Sequence, residues 1–338
     1  MIATSIVIPS YNHARFLPRA LDSVLDGQGD IEPEIVVVDD GSTDDSVAVL
    51  ETYRAHLGAR MQLITQANRG AHVALNRAID RARGDLVFIL NSDDAFASGR
   101  LPRVARAFAE QPALRVAVSH LTVVDADDAT LGVKEAWHTL PPWPTPGPGP
   151  TLSDTGDPQL ALLETNYAAT TSNVAFRRTF WRPIDRDGTG SGDAPGLRFQ
   201  PLRYAHDWDG LLTLSGGADA LALIDEPLVR YRVHGANTIR EGDEAARAKG
   251  AMRFEILWSV ARHASRLLRD AARRGVGEVR DLRRRFWQGA PRFGQDDLLA
   301  QLLALRGPDD AVPSTYDALL DPHHPLRRRA VARLGAAP

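Results

Sequence analysis

Four short apolar runs divide the first 120 residues, at 4–8, 34–38, 61–64 and 86–90. Stretches of helical period separate them, at 16–25, 44–56 and 71–82. This alternation constrains the chain more than any other feature. Strands that alternate with helices assemble as a parallel sheet with helices on its faces. The run IVVV at 35–38 shows no polar alternation, as expected of a strand covered on both sides. Ser42, Thr43 and Asp44 follow it and suit the start of a helix. The predicted class is α/β: a Rossmann-like, mostly parallel sheet flanked by helices.

In such sheets ligands sit beyond the carboxyl ends of the strands. The first run there delivers Pro9, Ser10, Tyr11 and Asn12, and the second Asp39, Asp40 and Gly41. The third is followed by Asn68, Arg69 and Gly70, and the fourth by Asn91, Ser92, Asp93 and Asp94. Carboxylates gathered at one sheet edge repel one another and raise each other's pKa. A hard divalent cation removes that cost, and Mg²⁺ or Mn²⁺ takes carboxylate and phosphate oxygens. The simpler reading of Asp93 and Asp94 is a cap on the helix expected near Arg100.

The segments SIVIPSYNHARFLPRALDSVL, EIVVVDDGSTDDS, NRGAHVALNRAI and GDLVFILNSDDAF occur in that order. Together they resemble the family 2 glycosyltransferases, the inverting group with the GT-A fold. The resemblance covers roughly residues 3–120 and resumes at about 170–240. It implies a GT-A domain over 1–240, with a nucleotide-binding half (1–120) and an acceptor half (121–240), followed by a helical C-terminal region (241–338). It also implies a nucleotide-sugar donor with Mn²⁺ or Mg²⁺ as cofactor. By this likeness Pro9 and Tyr11 flank the base, and Asp40 accepts a hydrogen bond from uracil. Asn68 and Asn76 line the nucleotide pocket, Asp93 meets the ribose, and Asp94 binds the metal. Many members carry Arg immediately before the residue matching Asn76. Leu75 stands there instead, so Arg69 or Arg77 would have to substitute.

The segment 204–239 resembles the family's acceptor side. Its usual Glu-Asp pair is His206-Asp207 here. Removing the acceptor's hydroxyl proton during attack calls for a carboxylate within hydrogen-bond reach, and Asp207 is assigned that role. A helix N-cap is the plainer reading of Asp207. Asp209 is the competing base, expected to face solvent from one helical step inside. His206 would tune Asp207, contact the acceptor or sit at the surface. His234, in YRVHGAN, is expected as a further metal ligand or diphosphate donor, and Asn173 as a sugar or acceptor contact.

Other classes lack their signatures. The turn after the first run, PSYNHARF, has no glycine, so the dinucleotide fingerprint GxGxxG is missing, as is the P-loop pattern. No Gly-rich basic loop opens the chain, as a nucleotidyltransferase would need. RRRFW at 283–287 lacks the leading glutamine of processive synthases, and no apolar run reaches the roughly 18 residues of a membrane span. The surviving rival is a catalytically silent nucleotide-sugar or partner binder, kept open by Leu75 and His206.

The remaining features bear on partners. The chain has no cysteine, which excludes disulfides and thiolate chemistry, and its net charge of −3 offers no general attraction to nucleic acid. The start, MIATSIVIPSYNH, lacks the basic opening of a signal peptide, which suits the cytoplasm. Residues 253–285 hold ten arginines against four acidic residues, with a further cluster at 327–329. Such a segment reads as a solvated helical face, an interaction surface, or a peripheral contact with an anionic membrane. Six prolines between Pro141 and Pro150 mark a long loop, either a solvated insertion or a lid. The acceptor, whether glycan, lipid-linked, protein or small molecule, is left open, as is the oligomeric state.

Overall fold

The computed structural model describes residues 2–134, 158–164, 166–182, 197–216, 219–235, 237, 245–289, 294–305 and 316–336. The proline cluster at 141–150 lies outside the described residues.

The first half builds as its periodicity predicts. Strands β1 (Thr4–Ser10), β2 (Glu34–Asp39), β3 (Met61–Thr65) and β4 (Leu86–Ile89) alternate with helices α1 (Leu17–Leu25), α2 (Ser46–Leu57) and α3 (Ala71–Arg81). Then come β5 (Ala95–Phe96), α4 (Arg100–Glu110), β6 (Val116–Val124), β7 (Thr130–Lys134), α5 (Pro158–Glu164) and β8 (Ala175–Arg177). Helix α6 (His206–Leu214) and strand β9 (Leu221–Arg232) precede the helical end of the chain. That end consists of α7 (Ala245–Arg274), α8 (Val276–Gly289), α9 (Asp296–Leu303) and α10 (Pro325–Ala336).

Among the described residues one nine-stranded sheet runs in the order β3-β2-β1-β4-β8-β6-β9-β5, with β7 beside β6. The β3-β2-β1-β4 half is parallel, while β8 is antiparallel to both β4 and β6. Successive residues of a strand face opposite sides of the sheet, so β1 feeds two cores. Ile6 and Ile8 pack with Leu17 and Leu21 of α1 and with Leu101 and Phe108 of α4. Val7 joins the other core, with Ala74 and Leu75 of α3 and Phe254 and Trp258 of α7. Leu75 is fully buried there, so that position carries no ligand contact. The helical end thus shares a continuous apolar core with the sheet.

Two pairings shape the site. The short strand β5 directly follows Asp93 and Asp94, and it pairs antiparallel with the end of β9, Ala95 opposite Arg230. Residues 231–234 are thereby carried along the Asp93–Asp94 turn. Strand β1 lies parallel to β4, so the turn after Ser10 runs beside the turn after Ile89.

Candidate active site

The strand ends converge as the sheet topology requires. Asp40 is buried, and its carboxylate accepts N–H groups from the loop after β3: Arg69 N at 2.9 Å, Gly70 N at 2.8 Å and Gln66 Nε2 at 2.7 Å. Gln66 in turn accepts from Arg77 Nη1 at 3.1 Å, so Arg77 reaches Asp40 through one amide. Gly41 makes the close approach of the two loops feasible. At its φ of +77° a Cβ would lie 2.9 Å from Asn68 N. Asn68 is exposed on this loop, Pro9 is buried within β1, and Tyr11 projects at 44% exposure.

Asn76, expected to line the nucleotide pocket, bonds the backbone of Phe199. Its Nδ2 donates to Phe199 O at 2.9 Å and its Oδ1 accepts from Phe199 N at 3.0 Å. Each end of the amide thus holds the Phe199 backbone, and the residue is buried.

The sequence reading gives Asp94 the cation and Asp93 the ribose, and the structure surrounds the two carboxylates with different partners. Asp94 turns inward. Its Oδ2 accepts Ser172 Oγ at 2.6 Å and Thr170 Oγ1 at 3.3 Å, and its Oδ1 accepts Arg232 N at 2.9 Å. Burial, then the neighbouring Asp93, pushes its pKa up to about 8. Asp93 instead faces the histidines. Its Oδ2 lies 3.2 Å from His234 Nε2 and 3.9 Å from His13 Nε2. Burial works to raise the Asp93 pKa, but the bond to His234 and the nearby His13 outweigh it and hold the carboxyl low. Neither aspartate caps α4, whose cap position is Gly99. Nitrogen and oxygen atoms of His13, Asp93 and His234 lie within 4.8 Å of one another, a donor set chemically suited to a divalent cation.

Asp207 opens α6 in a buried position, and Ala205, not Asp207, is the cap residue. Its Oδ1 accepts Trp208 N at 2.7 Å and its Oδ2 accepts Asn166 Nδ2 at 3.1 Å. Each oxygen keeps a lone pair for a further donor. Tyr231 lies on β9 immediately before Arg232, whose N–H donates to Asp94. Burial first, then the charges of Asp94, Asp93 and Asp207, push its phenol pKa up.

Asp209, expected to face solvent, is buried. It meets α7 through Ser259 Oγ at 3.1 Å, Arg262 Nη1 at 3.2 Å and His263 Nε2 at 3.0 Å. The helix turns by about 200° over two residues, which sends Asp207 and Asp209 to opposite sides. Asn173, expected as a sugar or acceptor contact, is likewise internal and bonds Ser119 and Ala168 O. His206 is half-buried, with its ring against Phe199 at 6.3 Å.

Sequence reasoning missed His13, Tyr231 and Asn166. His13 lies inside the first quoted segment, but a single histidine after a strand carries no pattern of its own. Tyr231 and Asn166 gain their places from strand register and from a turn that no motif marks.

Residues 5–161 match the family model described as Glycosyl transferase family 2. An uncharacterised glycosyltransferase of Nostoc sp. is 31% identical over 237 residues, which cover 69% of this chain and 65% of that relative. A PGL/p-HBAD biosynthesis glycosyltransferase of Mycobacterium tuberculosis is 37% identical over 103 residues, 30% of this chain and 40% of its own length. The chain therefore spans just under two thirds of the first of these relatives and well under half of the second. Among solved structures, residues 1–349 of S. aureus TarS in complex with UDP-GlcNAc superpose with a TM-score of 0.58 at 16% identity, over 99% of this chain and 90% of that one. That likeness is one of fold: a mixed α/β sheet with flanking helices of the GT-A type.

Proposed function

Because the chain belongs to glycosyl transferase family 2, we propose that it moves a sugar from a nucleoside-diphosphate sugar to an acceptor hydroxyl with inversion at the anomeric carbon. One observation carries this reading: the segment 166–172 ties the two carboxylates together, Asn166 Nδ2 donating to Asp207 Oδ2 at 3.1 Å and Ser172 Oγ to Asp94 Oδ2 at 2.6 Å. A base and a cation-binding edge then share one cleft.

Tyr11 offers an exposed ring for the nucleotide base, and Asp40 keeps a lone pair for an imide N–H such as that of uracil. Asp93 and His234 would hold Mn²⁺ or Mg²⁺. When bound, the cation would engage the diphosphate and take up charge on the leaving nucleotide. Asp207 accepts the acceptor's hydroxyl proton as the oxygen attacks the anomeric carbon. The new C–O bond forms on the face opposite the bond that breaks, and the nucleoside diphosphate leaves with that electron pair. Holding both substrates in one cleft supplies much of the rate by orientation.

The test is a thermal-shift panel of nucleoside diphosphates with and without Mn²⁺, followed by sugar-nucleotide hydrolysis. Ligands that bind only the folded state raise Tm by mass action. Mn²⁺-dependent stabilisation by one nucleotide, together with slow metal-dependent hydrolysis, supports a transferase. Stabilisation without any hydrolysis or transfer would leave a silent binder instead.

A further inference from the structure

The cation-binding edge holds one more nitrogen than a carboxylate–histidine pair requires. His13 sits in the turn between β1 and α1, and its Nδ1 lies 2.8 Å from Ser92 Oγ. Ser92 is buried in the same turn as Asp93. A metal-bound histidine typically donates its other ring N–H to a fixed acceptor, which sets the tautomer and aims the free lone pair. In the tautomer protonated at Nδ1, Ser92 Oγ supplies such an acceptor. The His13 Nε2 is then the basic nitrogen, and it points to Asp93 Oδ2, 3.9 Å away.

The two histidines are also braced against each other. Their ring centroids are 5.6 Å apart at 85°, and the Phe16 ring packs at 4.6 Å from His234 and 6.0 Å from His13. Arg232 lies 5.2 Å from the centre of the Phe16 ring. Adjacent ligands around a cation with bonds of about 2.1 Å stand roughly 3 Å apart. The 3.2 Å separation of His234 and Asp93 already meets that, and His13 at 3.9 Å would close in by about 1 Å, within a set of atoms that all lie within 4.8 Å of one another. Side-chain exposures of 19% for His13 and 14% for Asp93 leave one face of the group open to a ligand.

We propose that His13 is a third protein ligand of the cation, completing a two-histidine, one-carboxylate set with His234 and Asp93. The inference rests on the reading above that a cation binds at Asp93 and His234. Two imidazoles and one carboxylate on one side leave the opposite positions for diphosphate oxygens and water. Imidazole nitrogen is a better ligand for first-row transition ions than for Mg²⁺, which prefers an all-oxygen shell. The site therefore favours a transition ion such as Mn²⁺ or Co²⁺ over Mg²⁺, and His13 adds to the preference that His234 already confers.

Pulsed EPR on the full chain tests this directly. The protein carries ¹⁵N-labelled histidine and Mn²⁺, with whichever nucleoside diphosphate the thermal-shift panel selects. Wild type should show two histidine nitrogens coupled to Mn²⁺, and His13→Ala and His234→Ala one each. Calorimetric titration should show His13→Ala losing roughly tenfold in Mn²⁺ affinity with little change for Mg²⁺. His13→Gln, which keeps a polar group beside Ser92, should behave likewise and guards against loss of folding. One coupled histidine in wild type, unaffected by His13→Ala, would refute His13 as a ligand while sparing the cation at Asp93 and His234. No histidine coupling at all would overturn both.

Discussion

At the scale of single residues, two carboxylates one helical step apart meet opposite fates. Asp207 keeps accepting capacity toward the cleft, whereas Asp209 is enclosed by α7. Burial works to raise the Asp209 pKa, but Arg262, His263 and Ser259 outweigh it and hold it down at about 2. A carboxyl depressed below its ordinary 3.8 stabilises the fold above that pH, and the gain disappears as pH falls toward 2. The stability gap between wild type and Asp209→Asn should therefore be full near neutrality and shrink between about pH 4 and pH 2. Burial pushes the His263 pKa below its ordinary 6.5, so the unfolded chain binds its proton first, and stability should already fall as pH drops below 6.5. Denaturant titrations across pH check both windows. Removing Asp209 near neutrality leaves Arg262 without its buried partner and should destabilise by about 3–5 kcal/mol.

Asp93 and Asp94 make a second residue-scale pair. Asp93→Ala should abolish the Mn²⁺-dependent part of nucleotide stabilisation while leaving the unliganded Tm nearly unchanged. Asp94→Ala should instead lower the unliganded Tm, because Ser172 and the Arg232 N–H lose their acceptor, a loss of about 1–3 kcal/mol. Equal effects of the two variants on the Mn²⁺-dependent shift would contradict the division of labour between them.

At the scale of elements, α7 holds α6 from two directions. Its Asp209 contacts fix the side of α6, and Glu255 fixes the start. The Glu255 carboxylate accepts Tyr204 N at 2.6 Å, Arg203 N at 3.1 Å and Ala205 N at 3.2 Å. Those three residues lead directly into His206 and Asp207. Burial raises the Glu255 pKa, while the three N–H groups and Arg327 pull against it. Glu255 touches neither proposed substrate and acts as a positioning residue. Glu255→Ala should reduce kcat by up to about 10²-fold through displacement of Asp207, with donor KM little changed because the strand ends are untouched. Asp207→Asn should show the same pattern more severely, with donor binding intact. A large rise in donor KM for either variant would place these residues on the donor side instead.

At the scale of the whole molecule, the helical end is bound into the sheet's own core. Trp258 is fully buried, and its Nε1 donates to Tyr316 O at 2.9 Å. At Gly250 a Cβ would lie 2.2 Å from Val331 O, so α7 and α10 cross with no room for a side chain. Burying such side chains contributes about 1.5–3 kcal/mol each. A truncation ending at residue 240 should therefore fail to fold, as read by loss of a cooperative thermal transition. The arginines of this region divide. Arg262 and Arg327 pair inward with Asp209 and Glu255, while Arg280, Arg283 and Arg284 are exposed. No helix among the described residues is long and apolar enough to cross a membrane.

The strands and helices of the first half were legible in the sequence because their periodicity is local: an apolar run must be buried wherever it lies. The convergence of Asp40, Asp93 and Asp94 at one sheet edge followed from chain order alone, since parallel strands align their carboxyl ends. Side-chain partners are a different matter, because each depends on a register or crossing that neighbouring residues do not encode. The pairing of β5 with β9 set His234 beside Asp93 and the Arg232 N–H on Asp94. The packing of α7 on α6 buried Asp209, and the segment at Phe199 claimed Asn76. The sequence by itself determined which polar groups gather at the edge. Only the tertiary structure decided which of them face a ligand, because a buried polar group takes whichever partner the packed elements bring within about 3 Å.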